Sequence, residues 1–224
     1  MGRVPRIDIG NQFYHVINRA NARLTIFNKD KDYESFEKIL EEAKEKYRMR
    51  ILAYCLMPNH WHFVLNSRKD GDLNLFMQWL TLTHTQRWHA HHHSVGYGHL
   101  YQGRYKSFLI QNEQYLLTVC KYVEGNALRA KLSNKAEDWR WSSIWRRESG
   151  SLKQKEILSP WPLRIPADYL KSINRPQAEK ELEYIRESVN KSKPFGNDLW
   201  LDKVVKKFGL KMTVRKPGRP KNGT

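Results

Sequence analysis

The segment RILAYCLMPNHWHFVLN, residues 50–66, decides the fold that we expect for this chain. Residues 50–57 and 60–66 are rich in the apolar, aromatic and β-branched side chains that are typical of buried strands. Pro58 and Asn59 separate the two runs, and both residue types favour tight turns. The segment therefore predicts two strands joined by a two-residue turn.

The segments around these two strands complete a β-α-β-β-α-β order. Residues 12–20 are predicted to form the first strand and residues 105–111 the fourth. Apolar side chains recur at helical spacing in residues 30–48, with Asp30 or Asp32 as the cap, and in residues 73–91. A third helix, capped by Asn112, is predicted after the fourth strand. This order predicts an α+β, ferredoxin-like fold, in which an antiparallel sheet has its helices packed on one face.

The character of the sequence changes after residue 132, and we divide the chain into a domain, residues 1–148, and a C-terminal extension, residues 149–224. The extension is predicted to contain a short charged helix and to end in a basic, Pro- and Gly-rich tail that is partly disordered. RKPGRPK, residues 215–221, resembles an AT-hook, which would bring Arg215 and Arg219 to DNA. The alternative is a disordered polycation with non-specific attraction.

Charge is the strongest signal in the composition, because 40 Lys and Arg against 23 Asp and Glu give a net charge of +17. A polyanionic partner is expected, and nucleic acid is the commonest one. No apolar run approaches the roughly 20 residues that span a bilayer, and the N-terminus lacks the apolar core of a signal peptide. We therefore expect a soluble cytoplasmic protein without a membrane partner. Cys55 and Cys120 lie in apolar segments and are expected to be buried, reduced thiols.

Two histidines, His60 and His62, interrupt the apolar run of the third strand. Side chains alternate along a strand, so both imidazoles would project from one face while Trp61 enters the core on the other. Two imidazoles held this close together are suited to bind one divalent metal ion. The alternative is an exposed sheet face that carries histidines without being a site.

A further metal ligand is expected from the third helix. In KYVEGNALRA, residues 121–130, Tyr122 and Asn126 lie one helical turn apart on the same face. An Asn126 amide oxygen suits Mg²⁺ or Mn²⁺, and a Tyr122 hydroxyl beside the metal could attack phosphorus. The alternative for Tyr122 is a half-buried core tyrosine, and Tyr115, seven residues earlier, is the rival nucleophile.

Three motifs in order carry a resemblance to a known family: MPNHWHFVL at 57–65, GHLYQGRYKSFLIQ at 98–111 and YLLTVCKYVEGNALRAKLSNKAEDWRWSS at 115–143. They resemble the REP-associated tyrosine transposases, which belong to the superfamily of HUH single-tyrosine transposases. HUH stands for histidine, a bulky apolar residue and histidine. The resemblance covers about residues 10–145 and implies that residues 1–148 form the catalytic domain.

The resemblance assigns roles to four residues of this chain. It implies that His60 and His62 bind a divalent metal ion, that Asn126 supplies a further ligand and that Tyr122 is the nucleophile. One departure is Ala127, because many relatives have proline after the asparagine. Glycine at the position before Asn126 is expected to loosen the helix by up to about 1 kcal/mol relative to alanine.

The implied function is DNA transposition by a metal-dependent endonuclease and strand transferase, acting on single-stranded DNA near hairpin-forming REP elements through a 5′-phosphotyrosine. A monomer is expected, and a dimer that donates the tyrosine helix to its partner is the alternative. Two other functions explain the charge: a DNA hairpin-binding protein without chemistry, and a metal hydrolase that uses water and has no need of Tyr122.

Basic residues beside the first and fourth strands are candidates for phosphate contacts: Arg19, Arg23, Arg104 and Lys106. Tyr101 and Tyr105 are candidates to stack on bases. The alternative is solvated charge with aromatic side chains in the core. The cluster of histidines at residues 89–93 lacks cysteine partners and regular ligand spacing, so it is predicted to be a basic, DNA-facing helix end rather than a zinc site.

Overall fold

A four-stranded antiparallel sheet with the strand order β2-β3-β1-β4 lies at the centre of the protein. The computed structural model describes residues 6–96, 98–111 and 113–215, and within them the elements follow the predicted β-α-β-β-α-β order. The two helices inside that order pack on one face of the sheet, so the predicted α+β, ferredoxin-like fold is confirmed. The third helix and parts of the C-terminal extension cover the other face.

The bounds of the elements are as follows. The strands are β1 (Phe13–Arg19), β2 (Arg50–Met57), β3 (His60–Asn66) and β4 (Lys106–Ile110). The helices of the first part are α1 (Asp30–Tyr47), α2 (Asp72–His91), α3 (Glu113–Glu124), α4 (Asn126–Arg129) and α5 (Ser143–Ser149). Those of the extension are α6 (Leu152–Lys155), α7 (Tyr169–Ile173), α8 (Glu179–Lys191), α9 (Asp198–Lys207) and α10 (Lys211–Val214). Short 3-10 turns lie at Asn21–Arg23 and Ala136–Asp138.

Strands β2 and β3 form a hairpin with the predicted two-residue turn, since Met57 pairs directly with His60. The carbonyl of Pro58 accepts hydrogen bonds from the backbone amides of residues 26 and 27, at 2.9 and 3.1 Å. Strand β3 is paired along its length with β1 on one side and with β2 on the other. These contacts hold β3 in one register, and a shift of one residue would reverse the direction of every side chain on it.

The first hydrophobic core lies between the sheet and helices α1 and α2. Trp61 and Phe63 point into it from β3, and Trp61 Nε1 donates a hydrogen bond to the Tyr101 hydroxyl at 3.0 Å. The predicted apolar face of α1 is buried in the same core, through Tyr33, Phe36, Ile39, Leu40 and Ala43. Trp61 therefore enters the core on the side that strand alternation predicts.

The second core lies on the opposite face of the sheet, where α3 packs against β2 and β3. Val64 and Phe108 contribute to it from the sheet, and Val119 and Val123 contribute from α3. Helices α7 and α8 of the extension close this core from outside. Since α3 is the helix that carries Tyr122, this packing places the tyrosine on the histidine side of the sheet.

One helix end decides between two predicted caps, and another differs from its predicted form. The Asp32 carboxylate, rather than that of Asp30, caps α1, because its Oδ2 accepts hydrogen bonds from the amides of residues 28 and 29 at 2.9 Å each. The third helix is interrupted at Gly125, which separates α3 from α4. Asn112, the predicted cap of α3, lies outside the described residues.

The C-terminal extension also covers both edges of the sheet. Phe195 forms a parallel bridge with Ile110 of β4, donating to the carbonyl of residue 109 at 2.8 Å and accepting from the amide of residue 111 at 3.0 Å. On the other edge, Ser159 donates its amide to the carbonyl of Ile51 at 2.8 Å. The division of the chain at residue 148 stays a prediction.

Cys55 and Cys120 are buried free thiols, as predicted. Burial raises the pKa of Cys55 to about 12. Among the described residues, no helix is both long and apolar enough to cross a bilayer.

A buried ion pair joins α5 to α1. Arg146 and Glu37 lie 2.6 Å apart, between Nη2 and Oε2, and their side chains are only 4% and 9% exposed. The Tyr54 hydroxyl donates a further hydrogen bond to Glu37 Oε1 at 2.8 Å. The pair fixes α5 to the first core.

Replacing Arg146 with Met is expected to lower the free energy of unfolding by about 3–5 kcal/mol, because Glu37 would keep a buried charge without its partner. Urea denaturation followed by circular dichroism measures this loss. The matched control is Arg87→Met, which removes an ion pair to Glu42 whose side chains are 47% and 45% exposed and is expected to cost about 0–1 kcal/mol. Equal losses in the two variants would contradict the prediction.

Candidate active site

His60 and His62 project from the same face of β3, opposite Trp61. Their ring centroids lie 5.1 Å apart with the ring planes at 73°. His62 is buried, whereas His60 at the end of the strand is partly exposed. The strand therefore presents one enclosed imidazole and one that solvent can reach.

Each histidine of this pair uses its Nδ1 atom for a hydrogen bond. His60 Nδ1 lies 2.6 Å from Asn59 Oδ1, and an amide oxygen only accepts, so the His60 proton is on Nδ1. His62 Nδ1 lies 2.9 Å from His15 Nε2. Within the described ranges neither ring has another hydrogen bond, so the Nε2 atoms of both are left for a ligand.

All three imidazoles at the site are uncharged at neutral pH. Burial, with a smaller effect of the nearby Arg19, lowers the pKa of His60 to about 4. Burial holds the pKa of His62 well below its ordinary value, and the neighbouring His15 acts in the same direction. Burial also lowers the pKa of His15 to about 3. Neutral imidazoles keep the lone pairs that metal binding requires.

Tyr122 of α3 faces these histidines. Its ring centroid lies 5.9 Å from that of His62 and 6.2 Å from that of His15, in edge-to-face arrangements. The Tyr122 hydroxyl has no hydrogen-bond partner among the described residues. Burial raises the pKa of Tyr122, and the positive charges of Arg129, Arg186 and Arg19 oppose that rise.

Arg129 connects Tyr122 to Asn126. Its guanidinium carbon lies 4.5 Å from the centre of the Tyr122 ring. Its Nη2 donates to the Tyr122 carbonyl and, at 2.6 Å, to Asn126 Oδ1, and its Nη1 donates to Gln177 Oε1 at 3.1 Å. The amide oxygen that was predicted as a metal ligand thus already accepts one hydrogen bond and keeps one lone pair. Asn126 Nδ2 is buried and lacks a partner within the described part of the chain.

Glu124 fixes the end of α3 just after the tyrosine. It is fully buried, and it accepts hydrogen bonds from the Ser143 hydroxyl at 2.6 Å and the Tyr169 hydroxyl at 2.7 Å. Burial raises the pKa of Glu124, while Arg147, 3.8 Å away, acts against the rise. The turn that carries Tyr122 is therefore attached to α5 and α7 rather than free to move.

The types of donor in this region suit a divalent metal ion. His60 and His62 offer Nε2 atoms, and Asn126 Oδ1 keeps a lone pair. Two neutral imidazoles and one amide oxygen suit Mn²⁺ at least as well as Mg²⁺, because imidazole is a common ligand of transition metals while Mg²⁺ prefers oxygen alone. The identity of the metal stays a prediction.

Sequence reasoning missed two residues of this site, His15 and Arg129. Arg129 follows Tyr122 by seven positions and Asn126 by three, so helical spacing alone could have placed it on their face. His15 gave no such signal, because its contact with His62 depends on the pairing of β1 with β3. Histidine in the middle of an apolar strand was the only indication.

A basic groove begins beside the histidines. Arg19, Arg104 and Lys106 line a cavity of about 270 Å³ whose other wall is residues 189–190 of α8. Arg19 is the register partner of His60 across β1 and β3. Arg104 also lines two neighbouring grooves, of about 470 and 950 Å³. The structure thus brings together three of the residues predicted to contact DNA.

The other predicted DNA contacts lie elsewhere. Arg23 is exposed in the 3-10 turn after β1, with its backbone in the left-handed region at φ 59°, and it is not part of the lining of these three grooves. Arg215 is exposed after α10. Arg219 and the rest of the AT-hook-like segment lie outside the described residues. DNA binding by these arginines stays a prediction.

Two tyrosines that were candidates for base stacking belong to the core. The Tyr101 hydroxyl bonds to Trp61 Nε1 at 3.0 Å and lies 2.6 Å from His84 Nδ1. The Tyr105 ring is buried beneath the Arg6 guanidinium, 4.1 Å from the ring centre. Stacking on bases is therefore wrong for Tyr101 and Tyr105 as they are placed here.

Tyr115, the rival nucleophile, packs against the extension. Its ring centroid lies 5.5 Å from that of Phe195 in an edge-to-face contact. The geometry therefore favours Tyr122 over Tyr115 as the tyrosine that faces the histidines.

The histidine cluster at the end of α2 lies at the first core, away from His60 and His62. Asp32, His91 and His92 each place one potential ligand atom within 4.8 Å of the others, the only such group of three among the described residues. His92 Nε2 lies 3.2 Å from Asp32 Oδ1, and the His92 ring stacks on Trp88. Because the other oxygen of Asp32 caps α1, a hydrogen bond from His92 to Asp32 accounts for this contact without a metal.

One protein family matches this sequence, and solved structures match the fold to different degrees. Residues 9–126 match the IS200-like transposase family. A REP-associated tyrosine transposase bound to a REP hairpin has a TM-score of 0.56 at 15% identity, covering 75% of this chain and 96% of that one. A putative transposase from Deinococcus radiodurans R1 has a TM-score of 0.38 at 18% identity, covering 55% and 95%. The tRNA(His) guanylyltransferase from Saccharomyces cerevisiae has a TM-score of 0.44 at 12% identity, covering 75% and 79%. No curated protein matches the sequence.

The family match extends over more than half of the chain and ends at Asn126, so it includes β1, the histidine pair and Tyr122. The solved relative with a TM-score of 0.56 shares the fold across nearly all of its own length. Both findings agree with the resemblance that the three sequence motifs carry. The chain belongs to the IS200-like transposase family and has the fold of a REP-associated tyrosine transposase.

Proposed function

We propose that the protein cleaves and rejoins single-stranded DNA near hairpin-forming repeats, as a metal-dependent transposase with Tyr122 as its nucleophile. The observation that carries the proposal is the 5.9 Å separation of the Tyr122 and His62 rings within one chain. This approach within one chain also favours a monomer over a dimer that exchanges its tyrosine helix. Hairpin DNA is the proposed partner because the relative of matching fold holds a REP hairpin.

His60 and His62 would hold Mg²⁺ or Mn²⁺ through their Nε2 atoms, with Asn126 Oδ1 as a further ligand. When bound, the ion supplies positive charge that offsets the negative charge developing on the scissile phosphate. The chain itself keeps the imidazoles neutral by burial and oriented by their Nδ1 partners.

In the proposed cleavage step, the Tyr122 oxygen forms a bond to phosphorus and the bond from phosphorus to the 3′ oxygen breaks. The phenol proton passes to solvent, and the departing 3′ oxygen takes up a proton to become a hydroxyl. Burial makes the phenolate costly, and the Arg129 guanidinium beside the ring partly offsets that cost. The resulting 5′-phosphotyrosine keeps the energy of the phosphodiester, so another 3′-hydroxyl can replace the tyrosine without ATP.

The DNA backbone would follow the groove lined by Arg19, Arg104 and Lys106, which starts beside His60. Residues 1–148 would carry the chemistry. Residues 149–224 would complete the groove through α8 and extend the contact through the basic tail. Binding there would depend strongly on salt, because each neutralised phosphate releases counterions.

A second candidate function is DNA hairpin binding without chemistry. One observation favours it, since Asn126 Oδ1 accepts a hydrogen bond from Arg129 at 2.6 Å, which leaves only one lone pair for a metal ion. A hydrolase that activates water is a third candidate, in which Tyr122 would have no role. The products of the reaction distinguish the three.

Tyr122→Phe is expected to abolish a covalent protein–DNA adduct, because only the hydroxyl can form the phosphotyrosine. A hairpin carrying a single-stranded extension is incubated with protein and Mn²⁺, denatured and run on a gel. A label at the 3′ end should move with the wild-type protein, a label at the 5′ end should be released, and EDTA should prevent both.

Tyr115→Phe is the matched control and should keep the adduct. Cleavage by wild-type protein without an adduct would favour the hydrolase, and binding without cleavage would favour the hairpin-binding function. An adduct that persists in Tyr122→Phe would exclude Tyr122 as the nucleophile.

Arg104→Ala and Lys106→Ala should each weaken binding to single-stranded DNA and reduce the slope of log K against log salt concentration by about 0.7, since each removes one phosphate contact. Fluorescence anisotropy across a salt series measures both quantities. Lys38→Ala, an exposed change of equal charge on α1, controls for net charge. If Lys38→Ala weakened binding equally, the effect would come from net charge and the groove would not be the DNA-binding surface.

Arg129→Met is expected to shift the pH profile of adduct formation to higher pH, because loss of the positive charge raises the pKa of Tyr122. Below the new pKa, the rate of the variant should be about tenfold lower than that of the wild type. A tenfold loss corresponds to the removal of a cation–π contact of about 1–2 kcal/mol. Single-turnover rates between pH 6 and about 10 measure the shift. The control is Arg129→Lys, which keeps the positive charge: a tenfold loss of rate in this variant as well would indicate that Arg129 only supports the structure.

A further inference from the structure

His15 lies in the middle of β1 and is a close polar neighbour of His62. Its Nε2 is 2.9 Å from His62 Nδ1. The two residues are diagonal neighbours on one face of the sheet, since His15 pairs with Val64 and His62 pairs with Ile17. His15 is fully buried, and sequence reasoning gave it no role.

The surroundings of His15 are those of a packed apolar side chain. Its ring stacks on Phe108 with 4.7 Å between centroids, and Tyr122 meets it edge-on. Its Nδ1 is buried without a hydrogen-bond partner among the described residues. Buried polar atoms usually have partners, so packing alone does not explain a histidine here. Within the part of the chain that the structure describes, the one polar contact that His15 makes is to His62.

That contact controls which nitrogen of His62 can bind a metal. A neutral imidazole carries one proton, and a ring that binds through Nε2 must carry it on Nδ1. His62 Nδ1–H then needs an acceptor, and within the described ranges its only neighbour in hydrogen-bond distance is His15 Nε2. For His60 the same need is met by Asn59 Oδ1, which can only accept. His15 can act as donor or acceptor, so its own tautomer decides the direction of the bond.

We propose that His15 is a positioning residue for the metal site. Its Nε2 accepts the hydrogen bond from His62 Nδ1–H, which leaves the lone pair of His62 Nε2 for the ion and fixes the rotation of the ring. The proton of His15 then lies on Nδ1, the atom without a partner. The inference rests on the proposed function, since it presumes a metal ion at His60 and His62. His15 acts only through His62 and is not itself a ligand.

Two substitutions at position 15 separate this role from packing. His15→Gln keeps an acceptor oxygen near the place of Nε2, whereas His15→Met fills similar space without one. Mn²⁺ binding to each full-length protein without DNA is measured by electron paramagnetic resonance, and thermal melting checks that each variant is folded. We expect His15→Met to weaken Mn²⁺ binding about 10–100-fold and His15→Gln to retain an affinity close to that of the wild type.

Nitrogen NMR of wild-type protein with ¹⁵N-labelled histidine tests the same point without any variant. At saturating Mg²⁺, the proton of His62 should be on Nδ1 and that of His15 on Nδ1. A His62 proton on Nε2 in the metal-bound protein would overturn the inference. This measurement decides the matter even where His15→Met fails to fold.

His62→Ala separates failure of the inference from failure of the proposed function. If His62→Ala loses Mn²⁺ while folded His15→Met binds as tightly as the wild type, the role of His15 is wrong and the metal site stands. If His15→Gln loses as much affinity as His15→Met, an acceptor at this position is not what matters, and the inference is also wrong. If His62→Ala binds Mn²⁺ like the wild type, the proposed metal site itself is wrong.

Discussion

The pairing of β3 with a neighbour on each side is the constraint on which the rest of the structure depends. Because β3 is held in register by β1 and β2, strand alternation sends Trp61 into the first core and His60 and His62 to the opposite face. The same pairing places Arg19 beside His60 and His15 within hydrogen-bond distance of His62. A rigid strand thus fixes the donors of the site, and a separate helix brings the phenol to them.

The site combines uncharged donors with nearby positive charge. The imidazoles are neutral because they are buried, whereas Arg129, Arg19 and Arg186 are close enough to affect the pKa of Tyr122. Positive charge beside uncharged groups favours a negatively charged partner, which is what the proposed phosphate substrate would be. Arg129 makes two contacts here, since its guanidinium lies beside the Tyr122 ring and also donates a hydrogen bond to Asn126 Oδ1. The arrangement of Tyr122 and Asn126 cannot change without moving this guanidinium.

Much of the fold was predictable because its elements have clear local patterns. The hairpin followed from Pro58 and Asn59 between apolar runs, and α1 followed from the helical spacing of its buried residues. The direction of Trp61 and the two histidines followed from strand alternation. The contact of His15 with His62 was not predictable, because it joins residues 47 positions apart through a register that no local signal specifies. Tyr101 was misjudged because an aromatic residue in a basic loop has the same local pattern whether its ring meets a base or a tryptophan.

Other segments of the chain form hydrogen bonds to both edge strands of the sheet, β2 and β4, and this limits how the sheet can pair with another chain. Phe195 pairs with β4, and the amides and carbonyls of β2 are met by the Trp141 carbonyl, the Ser143 hydroxyl and Ser159. Exposed strand edges are templates on which another chain can add a strand. At these positions the backbone groups of the edge strands already have hydrogen-bond partners within the chain, so a second copy cannot extend the sheet there. Pairing between sheet edges is therefore not available at these positions as a route by which copies of this chain could associate.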